Sequence, residues 1–269
     1  QSEENAEPAQ AAAVFSPDGS VIFERDGLQV TTAGVDTDPT TMEPAPILWL
    51  DIENSGDWDA CLGVTGGSVN GIMRDVVLIE YYMEDGAYWG ADNEMQFTLP
   101  ARSSGRYALG CGSWALPEGR IDTLGEMELC FTMAEDEWTW PDYTSEPVRI
   151  VTGSEAQTPG PEDLGTVVLD NDTVTLALGT QDYDDWFGPF VGVYAENKTD
   201  HYIGLTATVA DADGNVCDYL YYGAAVAPGK LSAENLMFDS PISELKGFEK
   251  LTVHFTLSEA ERSEERRVG

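Results

Sequence analysis

The chain contains one unit twice, and that constrains its fold more than any other feature. Leu50–Asp75 (LDIENSGDWDACLGVTGGSVNGIMRD) aligns without a gap on Val193–Asp218 (VYAENKTDHYIGLTATVADADGNVCD), 143 positions further on. Glu53-Asn54 falls on Glu196-Asn197, Asp57 on Asp200, Leu62 on Leu205, Thr65 on Thr208, Gly71 on Gly214 and Asp75 on Asp218. Two flanking blocks agree at other shifts: Val21–Thr31 with Val167–Ala177, and Leu129–Glu135 with Val253–Glu259. The three blocks keep their order, which a coincidental match would not do. Duplication is therefore the better explanation.

Both copies carry strand patterns. Val21–Phe23 and Leu28–Thr32 flank a turn at Arg25-Asp26-Gly27, and Val167–Leu169 and Thr173–Leu178 flank Asp170-Asn171-Asp172. Asp, Asn and Gly are the residues that tolerate the left-handed backbone of tight hairpins. Ile47–Ile52 and Phe190–Ala195 each run into a Glu-Asn turn, and further hairpin turns fall at Asn70-Gly71 and Asp213-Gly214. Met127, Leu129, Phe131 and Met133 alternate with Glu128, Cys130 and Thr132, as Leu251, Val253, Phe255 and Leu257 alternate with Thr252, His254 and Thr256. Period-2 alternation predicts one face packed inward and one face toward water. Long amphipathic helices are not predicted, only short helical turns near Leu116–Thr123 and Pro241–Lys246.

These patterns predict an all-β protein of two tandem antiparallel immunoglobulin-like β-sandwich domains. Residues 1–15 read as a disordered leader, 16–152 as the first sandwich, 153–164 (GSEAQTPGPEDL) as a linker, 165–259 as the second sandwich and 260–269 as a non-native or disordered tail. The first copy continues past Glu135 to a strand at Val148–Val151. The second copy ends where that strand is due, so its sandwich is expected to lack its last strand and to leave an edge unpaired.

Charge narrows the function classes. Lys and Arg number 13 against 49 Asp and Glu, a formal net charge of −36. Such a surface repels phosphate backbones and anionic headgroups, which excludes a nucleic-acid partner. No apolar run approaches the ~20 residues of a transmembrane helix. The polar start QSEENAEPAQ resembles the spacer that follows a removed signal peptide or a lipidated cysteine, so an extracellular or cell-surface location is expected, with a lipid anchor upstream of Gln1 as one form of it. Cys61, Cys111, Cys130 and Cys217 fit no zinc spacing; buried thiols are the expectation, with one disulfide in the first half as the alternative.

One family resemblance rests on particular residues. Leu50-Asp51-Ile52-Glu53-Asn54-Ser55-Gly56-Asp57, followed by a strand and Ser68-Val69-Asn70-Gly71, resembles a pattern in secreted lipoproteins of gut-dwelling Gram-positive anaerobes. Their later block is similar to Ala227-Pro228-Gly229-Lys230 and Ser232-Ala233-Glu234-Asn235. The first copy departs there with Pro100-Ala101-Arg102-Ser103, and the second departs earlier with Asp211-Ala212-Asp213-Gly214. The resemblance implies an immunoglobulin-like surface module and no activity. Separately, Arg262–Gly269 (RSEERRVG) resembles the start of a peptide translated from sequencing-adapter DNA.

No catalytic set or cofactor is implied. The two histidines, His201 and His254, fall in a turn and on the outward face of a strand, where their counterparts Trp58 and Cys130 are chemically unrelated. Paired carboxylates for a hydrolase are uninformative among so many acids. The sequence offers two candidate sites. Trp138, Trp140 and Tyr143, interleaved with acids, would stack on a sugar if their segment were extended, against the plainer reading of a loop folded over the sandwich. The acidic loops with Asp36 and Asp38, and with Asp182, Asp184 and Asp185, precede equivalent strands and could supply hard oxygens to calcium. Asn171 and Asn197 sit in N-x-[ST] sequons. The reading is a non-catalytic exported or cell-surface interaction or structural module with a protein or glycan ligand. A carbohydrate-binding protein is the first alternative and a carboxylate-dependent hydrolase the second.

Overall fold

The computed structural model describes residues 13–40, 45–74, 76–84, 87–94, 96–111, 121–136, 139–156 and 158–259. The expected leader up to residue 12, the tail from residue 260, most of the Leu116–Thr123 helical turn and Trp138 lie outside these. In the first copy the strands are β1 (Ala13–Phe15), β2 (Asp18–Arg25), β3 (Leu28–Thr37), β4 (Pro46–Asn54), β5 (Ala60–Val69), β6 (Ile72–Met73), β7 (Val76–Glu84), β8 (Ala87–Glu94), β9 (Gln96–Leu99), β10 (Ser103–Cys111), β11 (Glu126–Ala134), β12 (Tyr143–Thr144) and β13 (Val148–Val151). In the second they are β14 (Thr166–Asp170), β15 (Val174–Asp184), β16 (Gly188–Asn197), β17 (Ile203–Ala212), β18 (Asn215–Cys217), β19 (Leu220–Tyr221), β20 (Gly223–Val226), β21 (Leu231–Phe238) and β22 (Leu251–Glu259). The described helical elements are one turn at Pro161–Leu164, inside the expected linker, and a 3-10 turn at Ile242–Glu244, inside the expected Pro241–Lys246 segment. The chain is all-β.

It divides into two compact units, the second of which begins at Thr158 and also takes in Gly71–Met73. In the first unit one sheet runs β2-β3-β4-β10-β7-β8. It faces a second sheet of β1-β13-β11-β5, with β9 on β5 and β12 on β11. Alternate residues of each sheet point inward, so that Leu48, Leu50 and Ile52 of β4 and Leu109 of β10 pack against Leu62 and Val64 of β5 and Leu129 and Phe131 of β11. In the second unit β14-β15-β16-β21, with β19 and β6 on β21, face β17 and its partners β18, β20 and β22. That core holds Val174, Leu176, Val191, Val193, Ile203, Leu205 and Leu236. Ala13–Phe15 corrects the leader boundary: its apolar residues form a strand parallel to β13, with Ala13 opposite Val148 and Phe15 opposite Ile150.

The repeat extends to strand register. Phe131 lies opposite Val64 and Met133 opposite Leu62; the equivalent Phe255 lies opposite Ala207 and Leu257 opposite Leu205. Both ladders then carry a bulge, which bends the strand at the same place in each sandwich. The hairpin turns also match. Asn70-Gly71 and Asp213-Gly214 take positive φ at both positions, as a two-residue turn matched to strand twist requires. Expected alternation fails at one point, because Cys130 and Thr132, read as solvent-facing, are buried. Both lie in a strand that is paired on both sides.

The Glu-Asn pair proves to be more than a turn. Asn54 and Asn197 are almost fully buried, and each side chain ties together chain segments from both sheets. Asn54 Nδ2 donates to the carbonyls of Trp58 (2.9 Å), Leu99 (3.2 Å) and Pro100 (3.1 Å), while its Oδ1 accepts from Gly56 N–H (3.0 Å). Asn197 Nδ2 donates to the carbonyls of His201 (2.7 Å) and Val226 (2.8 Å), and its Oδ1 accepts from Thr199 N–H (2.9 Å). Only an amide of this length both donates and accepts here; aspartate has no donor and glutamine is one methylene too long. Burial also removes the Asn197 sequon from the surface.

Among the described residues the two sandwiches differ at the far edge of β11 and its counterpart β22. Unit 1 covers the far edge of β11 with β13, where Val148 pairs with Leu129 and Ile150 with Met127, and with β12 at Thr144 and Tyr143. Among the described residues no strand pairs with the far edge of β22. Phe23 and Phe131 bury each other across the first sandwich, with ring centroids 5.1 Å apart. Their counterparts are Leu169, 43% exposed, and Phe255, half-buried.

The cysteines carry thiols, with no disulfide among them; Cys61, Cys130 and Cys217 are buried and Cys111 is half-buried. Desolvation pushes the Cys111 thiol up to about 11, opposed in part by Arg74. A thiol raised this far stays protonated at neutral pH, with roughly one part in a thousand as thiolate at pH 8. Alkylation of native Cys111 by iodoacetamide, followed by mass spectrometry, is expected to be slow at pH 8 and to accelerate up to about pH 11. Fast labelling at pH 8 would show an ordinary exposed thiol. For the brace, Asn54→Ala strands three carbonyls. It is expected to destabilise its unit by about 2–4 kcal/mol in urea unfolding, and Asn54→Asp is not expected to rescue it.

Candidate functional site

The outer face of the first unit's six-stranded sheet gathers most of the unexplained polar and aromatic side chains. Strand β4 explains why. Its alternation sends Leu48, Leu50 and Ile52 into the core and leaves Ile47, Trp49, Asp51 and Glu53 on the other face. Register then sets Ala108 beside Trp49, Arg106 beside Asp51 and Ser104 beside Glu53 from β10, with Thr31 and Gln29 of β3 opposite Asp51 and Glu53.

Two regions result. The first is aromatic. Trp49 and Tyr81 have ring centroids 5.1 Å apart, Trp49 and Tyr88 lie stacked at 6.2 Å, and Tyr81 and Tyr88 meet edge to face at 5.4 Å. Trp49 and Tyr81 pack on a small apolar base of Ile47, Ile79 and Ala108, which holds the rings in place. Asp36 accepts from Trp49 Nε1 at 3.4 Å. The Tyr81 hydroxyl oxygen is shielded and has no hydrogen bond of good geometry among the described residues. Burial first, and then the nearby Asp38 carboxylate, raise its pKa, so it remains a neutral donor.

The second region is polar. Arg106 grips Asp51 with two hydrogen bonds, Nε to Oδ1 at 2.8 Å and Nη2 to Oδ2 at 3.0 Å. Beside this pair lies a shallow groove of about 240 Å³ lined by Gln29, Thr31, Asp51, Ile52, Glu53, Ser104 and Gly105. The bidentate geometry fixes both side chains while leaving them more than half exposed. Rings held on an open sheet, next to fixed donors and acceptors, can stack on a flat apolar ligand surface and hydrogen-bond its hydroxyls.

The residues expected from sequence lie elsewhere or serve other purposes. Trp140 is 71% exposed and Tyr143 half-buried. Tyr143 packs toward Phe23 at 6.4 Å, and the Arg25 guanidinium sits 3.6 Å over its ring. Thr139 N–H donates to the Asp136 carbonyl and its hydroxyl bonds the same residue, closing a turn before β12 begins. The acids of the proposed calcium loops bond their own backbones: Asp36 accepts from Thr37 N–H, Asp38 from Thr40, Asp182 from Tyr183 N–H, and Asp184 from Trp186 and Phe187 N–H. Asp185 follows at the tip of the β15–β16 hairpin. Among the described residues no three His, Cys, Asp or Glu side chains converge as a metal set. His254 is exposed, and His201 contacts Asp200 at 3.1 Å on the surface.

Trp49, Tyr81, Tyr88, Asp51 and Arg106 carry the site and were not singled out by sequence. One signal was present: Trp49 occupies an outward position of a strand whose inward positions are already filled by aliphatic residues.

Among known proteins, no family model and no curated protein matches this sequence. Three solved structures match weakly. The E. coli chaperone DraB is 13% identical over 91% of this chain and 98% of that one, with a TM-score of 0.26. The YadV chaperone is 10% identical over 78% and 85%, with a TM-score of 0.21. The Pseudomonas aeruginosa CupB2 chaperone is 10% identical over 78% and 91%, with a TM-score of 0.19. With TM-scores this low the likeness carries no argument, and the all-β class rests on the strands described above.

Proposed function

We propose that the chain is a non-catalytic binding module, exported or held at a cell surface, whose ligand is a carbohydrate carried on the outer face of β3, β4, β10 and β7. The observation that carries this reading is the Trp49–Tyr81–Tyr88 trio, supported from beneath by Ile47, Ile79 and Ala108 and continuous along β4 with the Asp51–Arg106 pair. Pyranose rings present apolar faces to aromatic side chains and hydroxyls to carboxylates, amides and guanidinium groups. Gln29, Glu53 and Ser104 supply such groups in the groove. The strongly acidic surface disfavours anionic ligands, so neutral glycans are the expected class.

The non-catalytic reading draws support from the same geometry. A glycosidase sets two carboxyl groups across its substrate. Here Asp51 is engaged by Arg106, and Glu53 lies beside it on the same strand face rather than across a cleft.

A glycan array on the full chain tests the reading. Binding of neutral glycans is expected, weakened about tenfold by Tyr88→Ala and by Trp49→Ala, on the scale of one lost stacking contact. Trp140→Ala is expected to leave it unchanged. If no glycan binds, or if the Trp49 and Tyr88 variants bind like the parent, the proposal fails.

A further inference from the structure

We infer, resting on the carbohydrate reading above, that the ligand is a stretch of about three or more units of a linear, equatorially linked glycan lying along β4. Chains of the cellulose, mannan and xylan type have this ribbon-like shape. The length comes from the spacing of the site along one strand, and the shape from the way its rings are set.

Trp49, Asp51 and Glu53 stand at every second residue of β4, on its outer face. At the rise of an antiparallel strand, Trp49 and Glu53 are about 14 Å apart. The aromatic region and the groove are the two ends of that line. Trp49 meets Tyr81 and Tyr88 at one end. Glu53, Gln29 and Ser104 line the groove at the other. The Arg106–Asp51 pair stands between them, and Arg106 lies close enough to Tyr88 to interact with it electrostatically. Polar and aromatic contacts therefore form one continuous path. A single pyranose reaches either end but not both, whereas a chain of about three linked units spans the distance.

The face also selects shape. Ala108 of β10 lies between Trp49 of β4 and Ile79 of β7, and it is fully buried. Its small side chain leaves the room in which the Trp49 and Tyr81 rings meet. The Trp49 and Tyr88 planes are inclined by only 26°. Successive units of a ribbon-like glycan repeat their apolar faces in nearly the same orientation, so they can meet both rings and continue over the sheet. An axially linked chain coils and turns those faces away. Beyond the rings, Thr31 lies opposite Asp51 and Gln29 opposite Glu53 on strands about 4.8 Å apart. These two rows offer donors and acceptors to the equatorial hydroxyls along both edges of a ribbon. The second unit does not repeat the face. Gly192 stands in the place of Trp49, Tyr194 in that of Asp51 and Ala233 in that of Arg106, and Tyr194 and Ala233 are buried in a small apolar cluster. One site per chain follows.

The probes are cello-, manno- and xylo-oligosaccharides of increasing length, titrated into the full chain by calorimetry. Malto-oligosaccharides of the same lengths serve as the axially linked control. At least one ribbon-like series is expected to bind at one site per chain, with affinity rising about tenfold or more from the two-unit to the four-unit ligand and then levelling off. Gln29→Ala combined with Glu53→Gln is expected to flatten that rise, so that the longer ligand binds no better than the shorter. Trp49→Ala is expected to weaken every length. Circular dichroism and the thermal transition of each variant check that it is folded. Equal affinity for the two-unit and four-unit ligands overturns the inference, as does a rise that the groove variant leaves intact. Tighter binding of the malto-oligosaccharides also overturns it, as does array binding of other glycans with none of these probes. Those last two results leave the carbohydrate reading standing. No glycan binding at all removes both.

Discussion

Each sandwich depends on one buried amide. Asn54 and Asn197 end a strand of one sheet and hydrogen-bond to carbonyls on the chain that leads into and out of the other. The hydrophobic effect that packs two sheets face to face has no direction of its own. A buried amide that must satisfy several backbone carbonyls fixes the relative position at one end. Register in the following strands is then set by alternation alone. That ladder and brace recur in both copies despite low similarity in the residues between them shows which part of the sequence carries the geometry.

The two copies also separate pattern from environment. Met127–Met133 and Leu251–Leu257 read identically as alternating strands, and both lie in the same register against their neighbour. One is buried on its apolar face and the other is half-open. Alternation states which side of a strand faces inward; it does not state whether anything lies across from it.

The candidate ligand face was less legible than the fold. Trp138, Trp140 and Tyr143 drew attention because they cluster along the chain, but Trp138 lies outside the described residues and Tyr143 is engaged by Phe23 and Arg25. Trp49, Tyr81 and Tyr88 come from three different strands and meet only through sheet order, β4 and β10 and β7 and β8 lying side by side. The acidic loops illustrate the same limit. Their carboxylates are close in sequence, but each accepts from the backbone beside it, which is the common local role of aspartate in tight loops.

The sequence by itself determined the all-β class and the hairpin turns, because turn chemistry and period-2 alternation are local properties of the chain. It also marked Glu-Asn as important without revealing the reason. Only the tertiary structure decided that this asparagine braces two sheets, that Cys130 and Thr132 are covered, that an aromatic face forms on β4, β7 and β8, and that β22 is left half-open. Each of these depends on which strands become neighbours, a long-range choice governed by sheet order and packing rather than by any stretch of residues read alone.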